Sequence, residues 1–190
     1  ERVTRAVMER WEVLLGPDDA DTLVAVSNLA VIVKYQGKLE EAEALQRRDL
    51  EGTERALGAD HPSTLNAVGS LAISLAMQGK LEEAEVLYRR ALEGKERALG
   101  ADHPDTLREV GNLAVTLDKQ GKLEEAEALN RRALEGKERA LGADHPSTLV
   151  AVGNLAITLA EQGKLEEVEV LERRALEGKE RALGADHPST

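Results

Sequence analysis

A chain of 190 residues with a formal net charge of −11 has no basic footprint for nucleic acid and no attraction to an anionic membrane surface. Aromatic residues make up only 2% of it and Phe is absent, so a core must be built from Leu, Ala and Val, a composition that favours helices. The absence of Cys removes disulfides, thiolate chemistry and most structural zinc sites, and no apolar run approaches the ~18 residues of a membrane span.

In chain order, Glu1-Arg2-Val3-Thr4 open a charged amphipathic helix rather than a signal peptide, which points to a soluble, cytoplasmic protein. A strict period follows. Leu-Gly-Ala-Asp-His-Pro recurs at Leu57–Pro62, Leu99–Pro104, Leu141–Pro146 and Leu183–Pro188, each time 42 residues on, with a diverged copy from Leu15 to Asp19. The full repeats are therefore 17–58, 59–100, 101–142 and 143–184, and the second and third share 32 of their 42 positions. Residues 1–16 align with Glu43–Gly58 as the second helix of a preceding repeat, and 185–190 with the start of another. Both ends read as fragments of repeats, as expected of a piece of a longer array.

Each repeat predicts two helices. In 59–100 the first starts near Asp60-His61-Pro62, where Asp or His can cap and Pro suits the first turn. Leu65, Val68, Leu71, Ala72 and Leu75 follow at helical spacing, and Gly79 is a candidate left-handed cap. The second helix runs from Lys80, with Glu82 and Glu83 favourable to its dipole. It carries an apolar stripe of Leu81, Ala84, Leu87, Ala91, Leu92, Ala98 and Leu99, and stops at Gly100. Helices of about 17–20 residues with such short connections pack antiparallel. A single pair cannot bury its own stripe, so pairs must stack.

The run Gly79-Lys80-Leu81-Glu82-Glu83-Ala84-Glu85, then Leu87-Tyr88-Arg89-Arg90-Ala91-Leu92, resembles a tetratricopeptide repeat. Its signature positions fall on Val68, Leu71, Ala72, Leu75, Gly79, Leu81, Ala84, Tyr88 and Ala91. The length of 42 residues is similar to the kinesin light chain subclass, also seen in arrays that follow nucleotide-binding modules in immune-receptor-like proteins. The resemblance implies an all-α, right-handed α-solenoid of antiparallel helix–turn–helix repeats, and a non-enzymatic scaffold for a protein or peptide. Two departures stand out. Gly52, Gly94, Gly136 and Gly178 lie inside the second helices, reflecting either close helix approach or a bend, or else shallow drift of the repeat. Val168 replaces the Ala of Ala42, Ala84 and Ala126, which predicts slightly wider packing.

A solenoid holds its packing residues constant, so positions that differ between copies mark solvent or partner. Asn66/Arg108, Ser70/Asn112, Ile73/Val115 and Met77/Lys119 differ between the second and third repeats, and their spacing places them on one face of the first helix. The resemblance makes that face the lining of a concave groove. Asn28, Ser70, Asn112 and Asn154 share one position, and such an asparagine ladder holds extended peptide backbone in related arrays. Two further positions carry Val24, Asn66, Arg108 and Val150, and Tyr35, Met77, Lys119 and Glu161, a mixture that either sets specificity or reflects drift. The family's carboxylate clamp is not expected: its positions hold Ser27, Gly69, Gly111 and Gly153, and Val31, Ile73, Val115 and Ile157, none able to hold an anion.

No catalytic, metal or cofactor site is expected. His61, His103, His145 and His187 stand one repeat apart, too far for shared ligation, and read as helix-start residues. Glu85, Arg89, Glu93 and Arg97 form a solvated i,i+4 face, and Gly79-Lys80-Leu81 lacks the glycine and Ser/Thr of a phosphate loop. The competing reading is structural: a spacer, sensor or self-association array within a larger multidomain protein, stacking end to end, or a deliberately idealised repeat.

Overall fold

The computed structural model describes residues 1–183, apart from the side chains of Lys179, Ala182 and Leu183. The expected partial repeat 185–190, its His187 and the Gly184 that closes the last full repeat lie outside the described residues. Among the described residues there are nine helices and no strand. They are α1 (Arg2–Leu15), α2 (Ala20–Tyr35), α3 (Leu39–Leu57), α4 (Pro62–Met77), α5 (Leu81–Leu99), α6 (Pro104–Lys119), α7 (Leu123–Leu141), α8 (Pro146–Glu161) and α9 (Leu165–Leu183). Two compact units divide the chain, Glu1–Ala98 and a second beginning at Leu99. Each is an all-α stack of helix–turn–helix repeats.

Within the recurring loop the His, Pro and Asp each have a task. His61, His103 and His145 take the N-cap position, and their Nδ1 atoms accept from the backbone N–H of Ser63, Asp105 and Ser147 at 3.2, 3.2 and 3.1 Å. Pro62, Pro104 and Pro146 follow in the first turn. The aspartates do not cap in these three copies. Instead Asp60, Asp102 and Asp144 accept from Arg97, Arg139 and Arg181 near the far end of each second helix, at 2.7, 2.8 and 2.8 Å. In the diverged first copy Asp19 is the cap, accepting from Asp21 N–H at 3.0 Å, while Asp18 pairs with Arg55. The Thr64 hydroxyl closes the loop by donating to the Gly58 carbonyl at 2.8 Å.

At the other end of α4, Gly79 has φ 79°, which only Gly adopts without cost. Lys80 N–H donates to the Leu75 carbonyl and Gly79 N–H to that of Ala76, the paired bonds of a Schellman turn. The turn absorbs Gln78 and Gly79, so the first helix has 16 residues, one fewer than the spacing predicts.

Leu65, Val68, Leu71, Ala72 and Leu75 are all buried, as are Ala84, Ala91 and Leu92 of the second helix. The predicted stripe runs too far, however, because Ala98 and Leu99 are exposed. Within the first unit, Met8 and Trp11 of α1 pack on Ala25, Val26, Leu29 and Val33 of α2. Gly52, Gly94, Gly136 and Gly178 lie against Leu23, Leu65, Leu107 and Leu149, which favours close helix approach over drift as the reason for these glycines.

Two expectations change. Variable positions are not confined to the surface: Gln46, Tyr88 and Asn130 occupy one buried position of the second helix, where Asn130 Nδ2 donates to Thr158 Oγ1 at 3.0 Å. The charged face is also more than a set of i,i+4 pairs. Arg47 bonds Glu43 in its own helix and Glu83 in the next second helix of the first unit, and Arg131 likewise bonds Glu127 and Glu167 in the second. Arg90–Glu54 and Arg174–Glu138 span the same gap.

Candidate functional site

The first helices place each sequence-predicted residue in an accessible position. In the first unit, Val24, Asn28, Val31 and Tyr35 are exposed along one side of α2, and Asn66, Ser70, Ile73 and Met77 are exposed or half-buried along α4. Apolar side chains are prominent on this surface, with Tyr35 84% and Met77 56% exposed. Lys34 sets its ammonium 5.8 Å from the Tyr35 ring centroid. In the second unit, Arg108, Asn112, Val115 and Lys119 follow one another along α6, and Val150, Asn154, Ile157 and Glu161 along α8. This surface is the charged one.

The candidate ladder positions are not equivalent. The side-chain amides of Asn28 and Asn154 make no hydrogen bond among the described residues, leaving donor and acceptor to solvent or a ligand. Asn112 donates to Glu109 Oε2 at 3.5 Å, a long bond that a better acceptor can displace. Arg108 is held by Asp105 at 2.6 Å, one turn back on its own helix. Ser70 brings a hydroxyl where the other three bring an amide.

Beneath the first unit's surface lies a feature that the first-helix pattern does not announce. A cleft of about 260 Å³ opens between α2, α3 and α4, and Val24, Asn66 and Ser70 form part of its wall. Deeper in are Ser27, Asp49 and Thr53. Asp49 is 5% exposed, and burial raises its carboxyl to about 6, against the opposing effect of a hydrogen bond from Ser27. The Thr53 hydroxyl is turned to the backbone, donating to the carbonyls of Asp49 and Leu50. The signal was present in the sequence: Asp49 stands where the other repeats have Ala91, Ala133 and Ala175, and Thr53 where they have Lys95, Lys137 and Lys179.

Among the described residues no group of three or more His, Asp or Glu is placed to hold a metal ion, and no helix is long and apolar enough to cross a membrane.

The tetratricopeptide repeat model matches residues 25–97, 68–139 and 109–181. Similar solved structures include nearly identical TPR-like repeats assigned to a kinesin light chain of Podosopora anserina, 22% identical over 96% of this chain and 86% of that one, with a TM-score of 0.83. BtubC (BKLC) from P. vanneervenii is 20% identical over 98% of this chain and 74% of its own, with a TM-score of 0.86. The apo form of RapI is 13% identical over 94% and 62%, with a TM-score of 0.82. At these identities the likeness is one of fold. No curated protein sequence matches the chain.

Proposed function

We propose that this chain, which belongs to the tetratricopeptide repeat family, is a non-enzymatic scaffold that binds an extended segment of a protein partner along its first helices. The observation that carries this reading is the pair of unbonded amides, exposed at Asn28 and half-buried at Asn154, among accessible apolar side chains such as Val24, Tyr35, Met77 and Val150. An extended peptide has one donor and one acceptor per residue, and amides on three of the four first helices meet that need without dictating side chains. Specificity then comes from the neighbouring positions: apolar Val24, Tyr35 and Met77 in the first unit, and charged Arg108, Lys119 and Glu161 in the second. The structural likeness to kinesin light chain-type repeats supports the reading at the level of fold.

The test is a peptide array probed with the full chain, followed by titration of a retained peptide. Asn112→Ala combined with Asn154→Ala abolishes binding while helicity and melting stay as in the parent. Unchanged affinity in the double variant contradicts the ladder.

A second reading, end-to-end self-association, is favoured by one observation. In the second unit, α9 leaves Leu165 67% exposed, and its contact with α8 holds an apolar cleft of about 300 Å³ beside Val168. Light scattering over a concentration series distinguishes the two: a strict monomer at the highest concentration rules out stacking.

A further inference from the structure

We infer that the cleft between α2, α3 and α4 is a pocket for one basic side chain, Lys or Arg, of the bound segment, with the Asp49 carboxylate as its counter-ion. The inference rests on the peptide-binding reading above and adds the chemistry of one position of the partner.

Three observations carry it. The first is geometric. The cleft's 260 Å³ is somewhat less than the ~300–1,000 Å³ of a small-molecule site, and matches a single long side chain better than a whole ligand. Its wall is mostly apolar or neutral, from Leu23, Val24 and Ala67 to Ser27, Asn66 and Ser70, which suits the methylene stem of Lys or Arg.

The second is electrostatic. Asp49 is the single titratable group lining the cleft. The whole of α4 carries no charged residue, and the charged residues of α2, Asp21 and Lys34, are not among the lining side chains. On α3 itself, neighbouring Arg48 is taken by Glu12. A buried carboxylate whose side-chain partner is a single hydroxyl is a costly group to keep, and such groups concentrate at functional sites.

The third is a paired change between repeats. The other three copies have Ala at this position and Lys one helical turn later, at Ala91 and Lys95, Ala133 and Lys137, Ala175 and Lys179. The first full repeat gains an anion and at the same time loses the cation that its own helix would have offered at i+4, Thr53 standing there instead. The neutralising charge is thus left to the partner.

The experiment is selection of a phage-displayed random dodecapeptide library on the full chain and on Asp49→Ala, which restores the residue of the sister repeats. Circular dichroism confirms that both are folded. The expected result is a Lys or Arg at one fixed position of the peptides selected by the parent, and loss of that preference with Asp49→Ala. Replacing that residue by Met in a selected peptide lowers affinity for the parent about tenfold or more near neutral pH, as for a charge-assisted hydrogen bond. The same replacement costs less at about pH 5, where Asp49 is protonated, since its carboxyl is raised to about 6. Selected peptides without a basic position, or the same basic preference with Asp49→Ala, overturn the inference while leaving the peptide-binding reading standing. A parent chain that selects no peptide overturns both.

Discussion

Gly136 presses its backbone against Leu107: a β-carbon at Gly136 would stand 2.5 Å from Leu107 Cδ2 and 2.8 Å from Cδ1. Leu107 is itself 1% exposed, so its methyl groups can shift only within the packed interior. Alanine would gain about 1 kcal/mol in helix propensity, but overpacking a filled core costs about 1–3 kcal/mol. Gly136→Ala is therefore expected to destabilise the chain by roughly 1 kcal/mol in urea denaturation. Gly111→Ala is the control. Nothing lies within 4 Å of its added β-carbon, and it should stabilise by up to about 1 kcal/mol. Equal gains at both sites would show that Gly136 is no packing requirement.

The histidine caps yield a second prediction. His103 Nδ1 satisfies one of the free N–H groups at the start of α6, as Asp19 does for α2. His103→Ala should cost about 1 kcal/mol, whereas His103→Asn, another good cap, should cost a few tenths at most. Thermal melts of the two variants check this. Equal losses would point to a role for the imidazole other than capping.

Acid lability should arise at two glutamates. Glu43 is held down to about 2, first by the hydrogen bond from Lys80 and then by those from Arg47 and Gln78, and Glu127 likewise first by Lys164 and then by Arg131. A folded pKa below the ordinary 4.5 means stability that is present above that value and lost as pH falls towards about 2. The variant carrying Glu43→Gln and Glu127→Gln should lose less stability than the parent across that interval. Parallel curves would contradict the assignment.

Asp49 has the opposite sign. Burial raises its pKa from an ordinary 3.8 to about 6, so its contribution is fully present below 3.8 and is lost as pH rises through about 6. Asp49→Ala should therefore raise stability at neutral pH by roughly 1–3 kcal/mol and leave it nearly unchanged near pH 3. Denaturant midpoints at the two pH values test the difference. A less stable Asp49→Ala at neutral pH would mean that the carboxylate is already compensated inside the chain.

Much of the fold is legible because the repeat places each local device at a fixed address: a cap at Asp or His, Pro in the first turn, Gly79 at the left-handed stop. These act within a few residues, where sequence and geometry are tightly tied. What escapes the sequence depends on neighbours. The apolar stripe continues to Ala98 and Leu99 by periodicity alone, beyond the part of α5 that is covered. The Arg47–Glu83 pair spans nearly a whole repeat and is invisible to i,i+4 spacing. The accessible face of the first helices is readable from Asn66, Ser70 and Met77, since i,i+4 and i,i+7 spacing brings them onto one face. Asp49 is legible only in part: its equivalence to Ala91 of the apolar stripe shows that it faces inward, but not that a cleft lies above it.

The most direct test of peptide binding along the first helices is the NMR spectrum of the full chain titrated with an array-selected peptide. The largest shifts are expected at the side-chain amides of Asn28, Asn112 and Asn154, with accompanying changes along α2, α4, α6 and α8. Shifts gathered instead on the charged outer residues of the second helices, such as Arg47, Arg89 and Arg131, would contradict it.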